Sequence, residues 1–219
     1  MAPYEAMARR AANEWRWKDA ADSGLKWLID QPFSVDAAGF ASAYALECEN
    51  FKLAEQVSSV GLSANPAHPG LLNNRAFARA SAWNLNDAAR DLGAIDYGRA
   101  SKREHGYILA TTGFVLYRGG DERLAREYYE SSIKLFINLG LNDSAARAAV
   151  NLAAEDRRVS SDNAESSRKR AKQLVDQSQD GVVRDAWRRL CMSEHPSWLG
   201  QVGAEPGLDM GIRLPPLQG

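Results

Sequence analysis

Apolar residues recur at helical spacing along most of the chain, in paired stretches separated by short polar turns. Side chains three or four residues apart share one face of an α-helix, so each stretch is predicted to be an amphipathic helix. The first pair begins at Pro3, where the missing N–H of proline suits a first helical turn. It ends before Pro32, because a residue that precedes proline is pushed out of the helical region. The pattern predicts an all-α protein built from helix pairs.

The helix pairs repeat at a fixed distance along the chain. Three sets of positions lie 34 residues apart: Ala20, Ala54 and Ala88; Trp17, Phe51 and Leu85; and Pro32 and Pro66. A period of this length is typical of proteins in which short helical units stack side by side. The interval lengthens later, to 37 residues from Ala88 to Ala125 and to 39 residues from Ala125 to Ala164. About five units are therefore predicted, with longer connections between the last ones.

Local signals place several helix ends. Ser34 is expected to cap a helix that runs from Val35 to about Glu49, and Gly140 is expected to end another. Further helices are predicted at 104–117, 122–139, 144–156 and 181–192. From His195 onward prolines and glycines replace the helical pattern. Residues 1–194 are thus predicted to be a repeat domain, and residues 195–219 an extended or flexible tail.

The repeated unit resembles the tetratricopeptide repeat, a helix–turn–helix unit of 34 residues. The fourth unit is the most similar, through Leu109, Gly113, Leu116, Gly120, Asp121, Ala125 and Tyr129. The third unit departs from the family, because Arg75 and Arg79 stand where apolar residues are usual. The resemblance covers about residues 3–178. It implies a right-handed α-solenoid with a concave inner wall, a C-terminal capping helix, and close helix crossings at Ala54 and Gly113.

The resemblance also implies where a ligand binds. In the family, exposed residues on the first helix of each unit line the concave wall. Eight residues of this chain form the predicted peptide-binding wall: Phe40, Asn73, Asn74, Phe77, Tyr107, Thr111, Phe114 and Arg118. Asparagine amides both donate and accept hydrogen bonds, and aromatic faces supply apolar contact area, so this set suits a peptide with apolar side chains. The alternative is that the aromatic side chains are core.

One ligand known for the family is disfavoured. Some members hold the C-terminal carboxylate of a chaperone through a cluster of lysine, arginine and asparagine. Asn74 matches the asparagine slot, but Gly39, Tyr107 and Thr111 occupy the basic slots. A chaperone-tail clamp is therefore not expected here.

The sequence contains no recognisable catalytic or metal-binding motif. The histidines His68, His105 and His195 lie far apart, and none is paired with cysteine or a carboxylate at metal-ligand spacing. Gly119 and Gly120 lack the Lys-Ser/Thr pair that follows the glycines of a phosphate-binding loop. A non-catalytic protein without cofactor or metal is predicted.

Charge and composition restrict the partners and the compartment. A net charge of -1 gives no overall attraction to nucleic acid or anionic lipid, and the apolar runs are too short for a membrane span. The N-terminus lacks signal-peptide features, and Cys48 and Cys191 are expected to be reduced thiols in packed helices. A cytoplasmic protein is expected. Residues 157–191, with nine basic and five acidic side chains, are a local exception.

The leading hypothesis is a non-catalytic protein–protein interaction module, an adaptor or assembly scaffold that binds a peptide or protein segment in its concave groove. A regulatory or sensor repeat domain of a larger system is the first alternative. Nucleic-acid binding through the basic C-terminal helices is the second. Self-association through the open repeat ends or the tail is the third.

Overall fold

Local capping and turn signals divide this chain into short helices. The computed structural model describes residues 3–192 and 214–217, and these residues form eleven α-helices and no β-strand. The helices are α1 (Pro3–Asn13), α2 (Trp17–Asp30), α3 (Val35–Glu47), α4 (Phe51–Ala64), α5 (Pro69–Ser81), α6 (Leu85–Gly93), α7 (Lys102–Arg118), α8 (Glu122–Asn138), α9 (Asn142–Arg158), α10 (Ala164–Gln177) and α11 (Gly181–Trp187). A 3₁₀ turn at Tyr97–Arg99 and a π-helical turn at Arg188–Met192 complete the helical structure.

The predicted start of α3 is confirmed, because Ser34 Oγ accepts a hydrogen bond from the N–H of Ala37 at 3.2 Å. The predicted stop at Gly140 is also confirmed: α8 ends at Asn138, and Gly140 has a φ of 70°. Helix α7 begins two residues earlier than predicted, because Ser101 and Glu104 form a reciprocal capping box that sets its first turn.

Other predicted helix ends differ from the structure by a few residues. Helix α3 ends at Glu47 rather than Glu49, since Glu49 adopts a φ of 55° outside the helical region. Helix α9 is longer than predicted at both ends. The last predicted helix is α-helical only as far as Trp187, after which the turn widens to π-type.

The helices pack consecutively within two compact units. In the first unit, within residues 3–100, each helix from α1 to α6 packs against the next, and α3 also contacts α5. In the second unit, within residues 101–192 and 214–217, α7 to α10 pack in the same consecutive way. There α7 also contacts α9, and α11 packs against α9 and α10. The all-α architecture built from consecutively packed helices is confirmed.

The same left-handed turn joins the two helices of five pairs. One residue of each turn has a positive φ: Trp15 (62°), Glu49 (55°), Trp83 (64°), Gly120 (91°) and Ser160 (55°). In each case the next residue donates its N–H to the carbonyl five positions earlier, as Asn50 does to Ala45 at 2.9 Å and Ser161 to Asp156 at 2.9 Å. This hydrogen bond satisfies a carbonyl at the end of the first helix of the pair. The turn therefore recurs in three dimensions, at 34-residue intervals in the first three pairs.

The periodic small residues lie at the helix contacts. Ala20, Ala54 and Ala88 are each 0% exposed, so the 34-residue period marks positions in the packed interior. The close approach predicted at Gly113 is present, because a Cβ there would lie 2.8 Å from a ring carbon of Tyr129 and 2.9 Å from the carbonyl oxygen of Ala125. A residue larger than glycine does not fit at this crossing without movement of α8.

Three further expectations concern the cysteines, the membrane and the tail. Cys191 is buried, and burial raises the pKa of its thiol to about 12. Cys48 is exposed at the end of α3 rather than packed as predicted, because the helix stops one residue before it. None of the helices within residues 3–192 has the length and apolar character of a membrane-spanning segment. Most of the predicted tail, residues 195–219, lies outside the described residues; the exception is Leu214–Leu217, which carries neither helix nor strand.

Candidate functional site

Helix α5 of the first unit carries three residues of the predicted wall. Asn73 and Phe77 are four residues apart and share a helix face. Phe77 is half-buried, whereas Asn73 is only 8% exposed. Among the described residues, no group donates a hydrogen bond to Asn73 Oδ1. A buried acceptor left unfilled costs about 1–3 kcal/mol. Because Asn73 is buried, the expectation that it lines the open wall is corrected.

Asn74 connects α5 to the neighbouring first helix. Its Nδ2 donates a hydrogen bond to Ser42 Oγ of α3 at 2.9 Å, and that hydroxyl in turn donates to the carbonyl of Gly39 at 3.1 Å. Asn74 is half-buried. The Asn74 amide thus uses hydrogen-bonding capacity to hold α3 and α5 together. Asn74 is therefore less available for contact with a ligand than the sequence suggests.

Helix α3 carries Phe40 in a row of aromatic side chains, which we call the aromatic row: Trp17, Tyr44, Phe40 and Trp27. The ring centroids of Trp17 and Tyr44 are 5.7 Å apart and nearly parallel, those of Tyr44 and Phe40 are 4.4 Å apart, and those of Phe40 and Trp27 are 6.0 Å apart. Trp17, Tyr44 and Phe40 are half-buried. The row is a ready apolar contact surface of the kind that interface aromatics provide.

Sequence reasoning found only Phe40 as a wall residue of this row. A signal for Tyr44 was available, because Tyr44 follows Phe40 by four residues and so lies on the same face of α3. At the end of the row, the guanidinium of Arg9 lies 5.4 Å from the ring centroid of Trp27. This contact adds a cation to the otherwise apolar surface.

In the second unit, Tyr107 is the predicted wall residue that keeps partial exposure. Its hydroxyl hydrogen-bonds with Ser144 Oγ of α9 at 2.8 Å, and its ring centroid lies 4.9 Å from that of Phe136. The guanidinium of Arg103 lies 5.8 Å from the same ring centroid. Tyr107 is therefore held in place from three sides while part of its surface stays open.

The other predicted wall residues of α7 lie in the interior, which corrects the expectation that they are exposed. Thr111 and Phe114 are 4% and 7% exposed. The guanidinium of Arg118 covers Phe114 at 4.2 Å from its ring centroid, and its Nε lies 3.5 Å from Glu155 Oε1 of α9. The buried carboxylate of Glu155 draws Arg118 inward, so for Phe114 the alternative of a core aromatic is the correct one.

Buried ion pairs occur in both units, and sequence reasoning did not foresee them. In the first unit the carboxylate of Asp91 on α6 accepts hydrogen bonds from Arg75 and Arg79 of α5, and Arg79 also reaches Glu55 of α4 at 2.8 Å. We call these four residues the Asp91 cluster. The two arginines that depart from the family pattern thus have carboxylate partners on the neighbouring helices.

A second buried cluster surrounds Asp156 on α9. Tyr117 and Arg126 both donate hydrogen bonds to Asp156 Oδ1. Burial, and then the hydrogen bond to Asp156, raise the pKa of Tyr117 well above 10, so its hydroxyl stays protonated and acts as a donor. Asp156 is 0% exposed, and this arrangement ties α7, α8 and α9 together away from solvent.

The basic residues near the C-terminus are placed among carboxylates. Arg168 and Lys169 both approach Glu165, and Lys172 pairs with Asp176. Arg170 pairs with Glu130 of α8, and Arg188 pairs with Asp185 at 2.7 Å. These pairs neutralise much of the local positive charge that binding of a nucleic-acid phosphate backbone requires.

No metal-binding arrangement is present within residues 3–192 and 214–217, where no three His, Cys, Asp or Glu side chains are grouped to hold an ion. No family model matches the chain, and searches of curated proteins and of solved structures find no match either. The likeness to the tetratricopeptide repeat thus rests on the 34-residue period and on the recurring left-handed turn.

Proposed function

We propose that this chain is a non-catalytic interaction module, an adaptor or assembly scaffold that binds a peptide or protein segment along the first helices of its helix pairs. The observation that carries the proposal is the surface of α3 and α5. Phe40, Tyr44 and Phe77 keep part of their aromatic surface open there. Such apolar contact area suits a polypeptide ligand.

The proposal includes the repeat identity. The chain is taken as a right-handed α-solenoid of about five tetratricopeptide-like repeats, with α11 as the capping helix. The support is the 34-residue period of buried alanines and the five left-handed turns with the same hydrogen bond. The contact of α3 with α5, and separately of α7 with α9, places first helices side by side within each unit. Such layers of equivalent helices form the binding surfaces of repeat proteins.

The proposed ligand is an extended or helical segment with apolar side chains. The aromatic row gives it a surface for apolar contacts, and aromatic residues dominate the energy of many protein interfaces. The wall residues of this surface are Phe40, Tyr44 and Phe77.

A capture experiment with matched variants tests this function. Wild-type protein, Phe40→Ala, Phe77→Ala and the control Phe33→Ala are used to capture partners, which are then quantified by mass spectrometry. Phe33 is 80% exposed and lies between α2 and α3, outside the wall. Wild type and the control are expected to recover the same partner, while each wall variant recovers about tenfold less. Equal recovery of that partner by all four proteins would contradict the proposal.

A further inference from the structure

A short segment near the C-terminus lies against the second unit. Leu214–Leu217, with the sequence Leu-Pro-Pro-Leu, belongs to that unit. The hydroxyl of Tyr128 on α8 donates a hydrogen bond to the carbonyl oxygen of Pro215 at 2.6 Å. The buried imidazole of His105 on α7 lies near the backbone of Pro216. Side chains from both helices of one pair thus lie against two consecutive residues of the segment.

Burial shows that this contact is more than a surface encounter. Tyr128 is 3% exposed and His105 is 7% exposed. Pro215 is buried, whereas Pro216 is exposed and Leu217 is 41% exposed. The segment therefore enters the site with Pro215, while Leu217 remains near solvent. Hydrogen bonds made by buried donors are stronger than those at an open surface, because water does not compete for them.

The chemistry of two adjacent prolines matches these contacts. Proline has a fixed φ and no N–H, and a residue that precedes proline is held in the extended region. A Pro-Pro segment therefore offers carbonyl acceptors without donors and loses little conformational entropy on binding. Sites that recognise such segments combine aromatic surface with hydrogen-bond donors for the carbonyls, and Tyr128 is such a donor.

We propose that the surface formed by His105 and Tyr128 is a binding site for extended Pro-Pro segments, which residues 214–217 occupy as an intramolecular ligand that a proline-containing segment of a partner must displace. This site goes beyond the proposed wall. His105 and Tyr107 are two residues apart on α7, so their side chains point about 200° apart around the helix. The two surfaces are therefore free to bind different segments.

The internal segment lowers the apparent affinity of the site for an external segment. A segment on the same chain competes at an effective concentration on the order of millimolar. A partner segment of similar intrinsic affinity binds the wild-type protein weakly, and it binds much better once the internal segment is weakened. The site thereby selects partners whose segment is longer or better matched than Leu-Pro-Pro-Leu.

The test uses the full chain and a fluorescent peptide, Arg-Leu-Pro-Pro-Leu-Gln-Gly, which copies residues 213–219. Peptide binding is measured by anisotropy for wild type, for Pro215→Ala/Pro216→Ala, and for Leu217→Ala as the matched control on the exposed side of the segment. The double proline variant is expected to bind the peptide about tenfold more tightly than wild type, whereas Leu217→Ala resembles wild type. Adding Tyr128→Phe to the double variant is expected to weaken binding about fivefold, because one hydrogen bond is lost.

Each result of the peptide-binding measurements either supports or overturns the internal-ligand proposal. Equal peptide affinity for wild type and the double proline variant would overturn the internal-ligand proposal, and so would an unchanged affinity after Tyr128→Phe. Light scattering over a range of protein concentrations tests whether the segment that occupies the site comes from a second copy of the chain. A dimer that forms in wild type and is lost in the double proline variant would show that the segment binds a second copy of the chain, which also overturns the intramolecular assignment.

Discussion

Arg75 and Asp91 form a two-point ion pair between α5 and α6. Arg75 Nη2 lies 2.6 Å from Asp91 Oδ1 and Arg75 Nε lies 2.9 Å from Asp91 Oδ2. Arg79 approaches the same carboxylate at 2.8 Å. The side chain of Asp91 is 5% exposed, and those of Arg75 and Arg79 are 20% and 16% exposed. One buried carboxylate thus balances two arginines on the face of α5 that packs against its neighbours.

The Asp91 cluster predicts an asymmetric response to mutation. Asp91→Ala leaves two partly buried arginines without this carboxylate and is expected to lower the free energy of unfolding by about 3 kcal/mol. Replacing Arg75, Arg79 and Asp91 together by leucine is expected to be neutral or stabilising, because no desolvated charge of the three remains. Urea denaturation of the two variants checks this. A triple variant as unstable as Asp91→Ala would contradict the explanation.

The neighbouring residues Asn73 and Asn74 are expected to respond in opposite ways to leucine. Asn73→Leu removes an unfilled buried acceptor and is expected to raise the free energy of unfolding by about 1 kcal/mol. Asn74→Leu breaks the hydrogen bond to Ser42 and is expected to lower the free energy of unfolding by about 1 kcal/mol. Thermal unfolding gives the stabilities. Loss of stability in Asn73→Leu would show that Asn73 Oδ1 is not an unfilled acceptor.

Two helical glycines test the close helix crossing of the second unit. Gly113→Ala places a methyl group against Tyr129 and the Ala125 carbonyl and is expected to cost about 1–3 kcal/mol. Gly39→Ala on α3 is the control, since a Cβ there has nothing within 4 Å. It is expected to stabilise the protein by about 0.5–1 kcal/mol through helix propensity. Equal effects of the two substitutions on the melting temperature would argue against the crossing at Gly113.

His105 makes stability depend on pH. Burial lowers the pKa of His105 below its ordinary 6.5, and the hydrogen bond to Pro216 opposes this shift. Above about pH 6.5 both the folded and unfolded states are neutral at this residue; below it the unfolded chain takes up the proton more readily, so stability falls as pH falls. His105→Gln keeps an amide donor and removes the titration.

The measurement for His105 is the free energy of unfolding between about pH 7.5 and about pH 5. Wild type is expected to lose more stability on acidification than His105→Gln does. Carboxylates common to both proteins contribute equally, so they cancel in the difference. Parallel pH profiles for the two proteins would show that His105 does not contribute in this way.

The sequence predicted the helix pairs because their signals are local or periodic. The alanine period, the Ser34 cap and the Gly140 stop each act within a few residues or repeat at a fixed interval. The left-handed turns at Trp15, Glu49 and Trp83 were not predicted, because these residue types are uncommon at positive φ. There the packing of two helices imposes the turn on whichever residue stands at that position.

The candidate site was less predictable than the fold. Slot positions carried over from a family assume that the neighbouring helix is apolar, but α9 presents Glu155 and Asp156 to the second unit. These carboxylates pair with Arg118 and Arg126, and the guanidinium of Arg118 covers Phe114. Pro215 and Tyr128 are in contact although they lie 87 positions apart in the sequence. No periodic pattern in the sequence predicts such a contact.

The most direct test of the proposed binding wall is hydrogen exchange on the protein with and without its captured partner. The proposal predicts slower exchange on the first helices of the first unit, α3 and α5, around Phe40 and Phe77, and little change on the second helices α4 and α6. Phe77→Ala is expected to abolish that protection at the same partner concentration. Protection confined to α4 and α6, with α3 and α5 unchanged, would contradict the proposal.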